Sequence, residues 1–312
     1  MRVNLMVEGQ EDVTWAQWVA LARAVEDAGL EGLFRSDHYQ SVQSRTELGS
    51  LDAWSTLAAL GPLTEGIRLG TMVSPTSFRH PSVLAKAVVT ADHTSDGRVE
   101  LGMGAGWHEL EHVTYGFPFH DLGTRYDVFT EQVEIVVRQL TEDRFDFHGE
   151  HYRLEGCQAR PRPVQPRVPL ILGGLAGPRS AALAARFADE YNTVFPSPAD
   201  AAERRQRVDR AAEAAGRDPL TFSMMTGCLL GTTEAEARDR AARLMERTGK
   251  DGDVDAYVDR LRGEWILGTP EQAAHRLVEY REAGVDRVML QHQLHDDLDM
   301  VALIGEVAKE LT

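Results

Sequence analysis

Eight short apolar runs, nearly every one followed by a segment of helical period, limit what this chain can fold into. They fall at residues 3–7, 32–35, 67–73, 99–103, 170–172, 190–194, 221–230 and 286–290. After the first run, Trp15, Trp18, Val19, Ala22 and Val25 recur at helical spacing, and we read both tryptophans as packing residues. Helix punctuation recurs as well. Gly29 closes the first helix, Pro81 follows His80 at a first helical position, and Thr269-Pro270-Glu271-Gln272 reads as a capping box with an early proline. Strands alternating with helices build a parallel sheet covered by helices. Eight such units in 312 residues predict a closed (β/α)8 barrel of the TIM type with insertions, since the bare barrel needs about 250 residues. One insertion is expected at 145–154, which alternates about Gly149 as a hairpin does, and another at 250–264, which is acidic and less regular. No composition break marks a linker, so a single domain spanning 1–312 is expected. The alternative is a doubly wound open sheet with a dinucleotide loop. Against it, the glycine-rich strand end comes fourth in order, and Gly102-x-Gly104 is followed by Trp107 where that fingerprint wants Gly or Ala.

Charge narrows the partners. With 33 basic against 49 acidic residues the formal charge is −16, so neither nucleic acid nor an anionic membrane is an expected partner. No run of about 18 apolar residues exists to span a membrane. The opening MRVNLMVEGQED turns acidic too soon for a signal peptide, and the two cysteines, Cys157 and Cys228, stand far apart. A cytoplasmic protein acting on a small molecule is the expectation.

In a barrel of this kind the chemistry belongs at the C-terminal strand ends. Strand two ends in Asp37-His38, a carboxylate beside an imidazole that can move a proton near neutral pH. Strand three ends in Thr71, Met72, Val73 and Ser74, and strand four in Gly104, Ala105, Gly106, Trp107 and His108. After strand five, the turn Gly173 to Pro178 offers backbone N–H groups at a helix start, with Arg179 close by, as an anion site requires. Strands six and eight contribute Asn192 and Thr193, and Gln291 and His292. The run His108-Glu109-Leu110-Glu111-His112 matches the zinc-protease pattern H-E-x-x-H letter for letter. It begins two residues past Gly106, though, before a stable helix is under way. Only Glu131 can be offered as a third ligand, so no metal is expected.

Several stretches together resemble a known family. These are SDHY at 36–39, IRLGTMVSPTSF through GMGAGWHELEHVTYGFPF across 67–119, PRPVQPRVPLILGG at 161–174 and AARFADEYN at 184–192. They look like the luciferase-like flavin and deazaflavin barrel superfamily, and within it most like the coenzyme F420-dependent oxidoreductases. The resemblance covers almost the whole chain. It implies a planar tricyclic cofactor across the strand ends, F420 or alternatively FMN. It implies His38 as the catalytic proton carrier, with Asp37 orienting it or hydrogen-bonding the cofactor. Met72 and Val73, joined by a cis peptide, would back the ring, with Ala105 and Gly106 beside it. Gly173, Gly174, Leu175 and Ala176 would hold the cofactor phosphate, and Arg35, Arg79 and Arg179 would offset its acidic tail. Trp107, His108 and the loop 40–49 would bound the substrate pocket. The family's sugar-phosphate dehydrogenases carry a glutamate where Trp107 stands, and a catalytic tryptophan where this chain has Gln40, Ser41 and Val42. Glucose 6-phosphate is therefore not the expected substrate. The resemblance leaves two alternatives to an F420-dependent oxidoreductase: an FMN-dependent monooxygenase fed by a partner reductase, and a non-catalytic flavin- or deazaflavin-binding barrel. A homodimer is expected.

Overall fold

The eight apolar runs close into a ring. A computed structural model describes residues 1–43, 45 and 47–311; Ser44 and Thr46 of the 40–49 loop, and Thr312, lie outside the described residues. The barrel strands are β1 (Arg2–Val7), β2 (Gly32–Arg35), β3 (Arg68–Thr71), β4 (Val99–Gly104), β5 (Leu170–Gly173), β6 (Glu190–Val194), β7 (Thr221–Leu230) and β8 (Arg287–His292). Each pairs in parallel with the next, and β8 pairs back onto β1 in the register Val3↔Val288, Leu5↔Leu290. Closure rules out the doubly wound sheet. It also explains the unbroken apolar runs, because a parallel strand with helices outside and side chains inside is buried on both faces.

The helices fall where the punctuation put them. Trp15–Asp27 opens on a Thr14–Gln17 capping box and Pro270–Glu282 on a Thr269–Gln272 box, while Pro81–Thr94 starts at its proline. Trp18 is fully buried as expected, but Trp15 is 41% exposed and does not pack in the core. The hairpin Phe145–His148 with Arg153–Cys157 lays Phe145 and Phe147 on Ile135. The stretch 250–264 departs from expectation. It holds a helix, Val254–Leu261, capped by Asp253, and the strand Ile266–Gly268 follows it and pairs with β7. That helix buries only Tyr257, too little apolar signal to show through an acidic sequence. Among the described residues, no helix is long and apolar enough to cross a membrane.

Strand three is shorter than its apolar run. It stops at Thr71, Met72–Val73 is a cis peptide, and Ser74–Pro75 then pairs with β4. The glycines of β4 permit this approach. A Cβ on Gly102 would sit 2.1 Å from the Thr71 carbonyl oxygen, and one on Gly104 would sit 2.6 Å from Val73 Cγ2.

The barrel interior divides by polarity. Near the C-terminal strand ends, Met6, Phe34, Met72, Ile171 and Met289 make an apolar layer. At the other end Arg287, 1% exposed, contacts Glu31 at 2.6 Å, Glu100 at 2.7 Å, Glu190 at 3.0 Å and Asn4 at 3.2 Å. Arg68 on β3 also reaches Glu100, at 2.8 Å. Burial opposes the charge on Glu100, but Arg287 outweighs it and holds the carboxyl below the usual range. Glu190 goes the other way, raised by burial despite Arg287, with Glu100 repelling it as well. We expect Arg287→Met to cost about 3–5 kcal/mol, because it leaves Glu100 without its main counter-ion in a dry interior. Glu190→Gln gives up the charge on the Arg287 pair but also a buried charge and its repulsion with Glu100, and should cost far less. Urea unfolding of the two variants beside the parent chain measures both.

Candidate active site

A cleft of about 670 Å³ opens at the C-terminal strand ends. Its walls include eight of the twelve site residues that the family resemblance implied by name: His38, Met72, Val73, Ala105, Gly106, Trp107, Gly173 and Gly174. Asp37, His108, Leu175 and Ala176 are not on its lining. Met72, Val73 and Met225 reach it from the apolar layer below, so its floor is apolar.

Asp37 does not orient His38. It is buried, and both its oxygens are taken: Arg79 donates to them at 2.6 and 3.1 Å, and the Ser74 hydroxyl donates at 2.7 Å. The partner of His38 is Glu111, whose Oε2 lies 2.8 Å from Nδ1. Glu111 is fully buried and also accepts the backbone N–H of Tyr39 and, at 3.1 Å, of Gln40. Three donors fix the carboxylate, and the carboxylate fixes the imidazole. Nδ1 carries its proton toward Glu111, so Nε2 faces the cleft, with no hydrogen-bond partner among the described residues. Burial disfavours the imidazolium, but the hydrogen bond and charge of Glu111, with Glu8 and Asp37 behind, raise the His38 pKa. Glu111 is held low against its own burial by the same pairing.

The H-E-x-x-H run is spent on this architecture. Glu111, its second acid, clamps His38. His112 donates from Nδ1 to the His108 carbonyl at 2.7 Å, and its Nε2 accepts the Ser77 hydroxyl at 2.6 Å, so both ring nitrogens are engaged. Glu131 accepts the N–H groups of Glu150, His151 and Tyr152 in the hairpin turn, at 2.7 to 3.0 Å.

The remaining residues sort by position. The Trp107 ring meets His38 edge-on at 5.8 Å and is 63% exposed. His108 stands behind it at 6.2 Å from His38, its pKa lowered by burial and by the His38 and His112 rings. Leu175 is exposed, while Ala176 is buried with its N–H on the Tyr191 hydroxyl at 2.8 Å. The helix Pro178–Phe187 behind this turn begins at Gly177 with no side-chain cap. Of the three arginines, Arg35 is buried over Trp18 and bonded to Ser50 and Leu51, and Arg79 is committed to Asp37 and Asp52. Arg179 stays at the turn, paired with Asp127 at 2.5 Å. Sequence reasoning missed Glu8, Arg125 and Gln293, which also line the cleft. Glu8 follows β1 directly, and the strand-end rule applied to β1 would have found it.

Residues 2–287 match the family described as luciferase-like monooxygenase. The F420-dependent hydroxymycolic acid dehydrogenase of Mycobacterium tuberculosis is 33% identical over 266 residues, 80% of this chain and 72% of that protein. The F420-dependent glucose-6-phosphate dehydrogenase of Nakamurella multipartita is 28% identical over 310 residues, 92% of this chain and 89% of that one. An F420-dependent secondary alcohol dehydrogenase, solved in complex with an F420–acetone adduct, superposes with a TM-score of 0.83. Its identity is 20%, and 100% of this chain and 99% of that one are covered, which establishes a shared fold.

The clamp makes a prediction about pH. His38 is raised, so its pairing stabilises the fold below the unfolded imidazole value and is lost as pH rises through the raised one. Glu111 is lowered, so its pairing is lost as pH falls through the lowered value. Glu111→Gln keeps an acceptor for Tyr39 and Gln40 but removes the charge. Its loss of Tm relative to the parent should be largest at about pH 5–6 and shrink on either side. Its His38 pKa, followed by NMR, should move down.

Proposed function

The chain belongs to the luciferase-like monooxygenase family, and on that premise we propose that it is an oxidoreductase that uses coenzyme F420 to act on a small organic substrate. One observation carries the reading. Nε2 of His38 has no hydrogen-bond partner among the described residues and lies above an apolar floor, while its other nitrogen is pinned to a buried carboxylate. The relatives named as F420-dependent dehydrogenases support the choice of cofactor.

The residues present suit a deazaflavin. Met72, Val73 and Met225 offer an apolar surface to a planar ring, and Ala105 and Gly106 would border it. The uncapped start of the helix Pro178–Phe187, reached through Gly173 and Gly174, would receive a phosphate. Gly174 sits at φ +152, with no side chain between its backbone and that space. When bound, a deazaflavin supplies hydride chemistry without single-electron steps.

The protein's own share is the proton. His38 Nε2 accepts it from a substrate hydroxyl in oxidation and returns it to a carbonyl in reduction. Glu111 keeps Nδ1 protonated, holds the ring in place and steadies the imidazolium that forms. A pKa raised by that partner strengthens the hold of His38 on the proton it takes. The apolar floor of Met72, Val73 and Met225 offers water no hydrogen-bond partner on that side of the reacting groups.

Two measurements test this. In parallel titrations F420 should bind well below the concentration at which FMN does; tight FMN with no detectable F420 would replace the reading with a flavin monooxygenase. His38→Gln, whose amide still reaches Glu111, should slow turnover by about 10²–10⁴-fold with little change in F420 affinity. In the oxidising direction the parent rate should rise with pH through the raised His38 value, and the variant should lose that limb. A normal rate in the folded variant removes His38 from the mechanism.

A further inference from the structure

We propose that the substrate of this cleft carries a positively charged amine, and that Glu8 is the residue that selects it. The inference rests on the reading above in placing the substrate at His38 beside a bound deazaflavin, and it adds a specificity residue which that reading does not use.

Strand order brings Glu8 to the site. It follows the last residue of β1, a strand hydrogen-bonded to β8 on one side and β2 on the other. Its carboxylate therefore lines the cleft between Gln291 of β8 and the His38 loop after β2. Neutral amides hold it there. Gln291 Nε2 donates to one oxygen and Gln10 Nε2 to the other at 2.6 Å, and the Ser36 hydroxyl fixes Gln10 at 2.5 Å. Gln293 donates to the Gln291 side-chain oxygen at 2.9 Å, and Gln43 to that of Gln293 at 2.9 Å, so the amides are braced in turn. These two donors leave about half of a carboxylate's roughly four acceptor positions open. Among the described residues, no Lys, Arg or His forms an ion pair with Glu8. Arg35 feels its charge, but that guanidinium bonds to Ser36, Ser50 and Leu51 instead. A carboxylate fixed over an apolar floor without a counter-ion becomes costly as ligands displace its water. A cationic ligand offsets that cost, and its attraction to Glu8 strengthens as water leaves.

Trp107 supplies a second surface for a cation. It lines the same cleft, is 63% exposed, and an indole face attracts an ammonium. Both groups attend His38. The Trp107 ring meets it edge-on at 5.8 Å, and the charge of Glu8 contributes to raising its pKa. An ammonium held by Glu8 thus lies beside the group that meets His38 Nε2.

An anion finds no equivalent among the described lining residues. Glu111 and His112 are spent on His38 and Ser77. Arg125, the permanent cation of the lining, donates to the Gly106 carbonyl at 2.5 Å and lies 4.3 Å from the Phe119 ring. Tyr126 and Asn192 are neutral and stand toward the glycine turn. Asn192 is in register with Gly173 and donates to Ser223 at 2.8 Å, and Arg179 lies 5.3 Å from the Tyr126 ring. An adjoining cavity of about 220 Å³ shares Gln43 and Gln293 with the cleft. Its Arg45 and Arg247 are paired with Glu47 and Asp296, and Glu11 and Asp12 line it as well. At a formal charge of −16, the field of the whole chain also favours a cation.

The test compares ligands of similar size and different charge: 2-phenylethylammonium, 2-phenylethanol and phenylacetate. Calorimetry on the protein with F420 bound, and again without it, should show the ammonium about tenfold or more tighter than the alcohol, and phenylacetate weakest. Glu8→Gln should weaken the ammonium by about 10–100-fold and leave the alcohol unchanged. Trp107→Leu, which keeps an apolar surface, should cost the ammonium about two- to fivefold. A readout on the parent chain needs no variant: saturating ammonium should lower the His38 pKa, followed by NMR, because the bound cation offsets the charge of Glu8. The alcohol should leave it in place. The inference is overturned by alcohol or phenylacetate binding as tightly as the ammonium, by equal ammonium affinity in folded Glu8→Gln, or by a His38 pKa that ignores the ammonium. Failure to bind F420, with the ammonium preference and its dependence on Glu8 intact, sinks the cofactor reading and leaves the amine site standing.

Discussion

Ring closure depends on what fills the barrel end opposite the cleft, and here a buried guanidinium fills it. Arg287 begins β8 and reaches Asn4 on β1, Glu31 just before β2, Glu100 on β4 and Glu190 on β6. Strands far apart in sequence are thus held to one cation. Each carboxylate would be expensive in that interior without it. The ionic plug leaves the apolar layer of Met6, Phe34, Ile171 and Met289 as a floor under the strand ends.

A second buried carboxylate does for the site what Arg287 does for the barrel. Glu111 lies on the short helix after β4, and His38 on the loop after β2, 73 residues earlier. Their pairing fixes the tautomer, raises the imidazole pKa and ties the 40–49 side of the cleft to the Trp107 side. Asp37, next to His38 in sequence, instead joins Arg79, Ser74 and Asp52 in a network behind the site. That network secures the loop. It also draws Arg79 away from any anionic ligand.

Much of the fold was legible because barrel strands are buried on both faces and so appear as plain apolar runs. The capping residues then marked the helix starts. The helix Val254–Leu261 escaped because it buries a single tyrosine, and Trp15 misled because helical spacing alone does not say how far the apolar stripe extends. In the site, the strand-end rule located His38, Gly106 and Trp107, all of which line the cleft. It could not choose between Asp37 and Glu111 as the partner of His38. The letters of Glu111 were in view throughout, inside a run whose spacing suggested metal.

The sequence by itself determined the (β/α)8 architecture, the cleft end of the barrel and the histidine there, because periodicity, caps and strand order are local properties of the chain. Only the tertiary structure decided which carboxylate serves that histidine, which arginines are already spent and which polar side chains bond to one another. Those are matters of distance between residues far apart in sequence. A neighbour along the chain, as Asp37 is to His38, can point its side chain into an entirely different network.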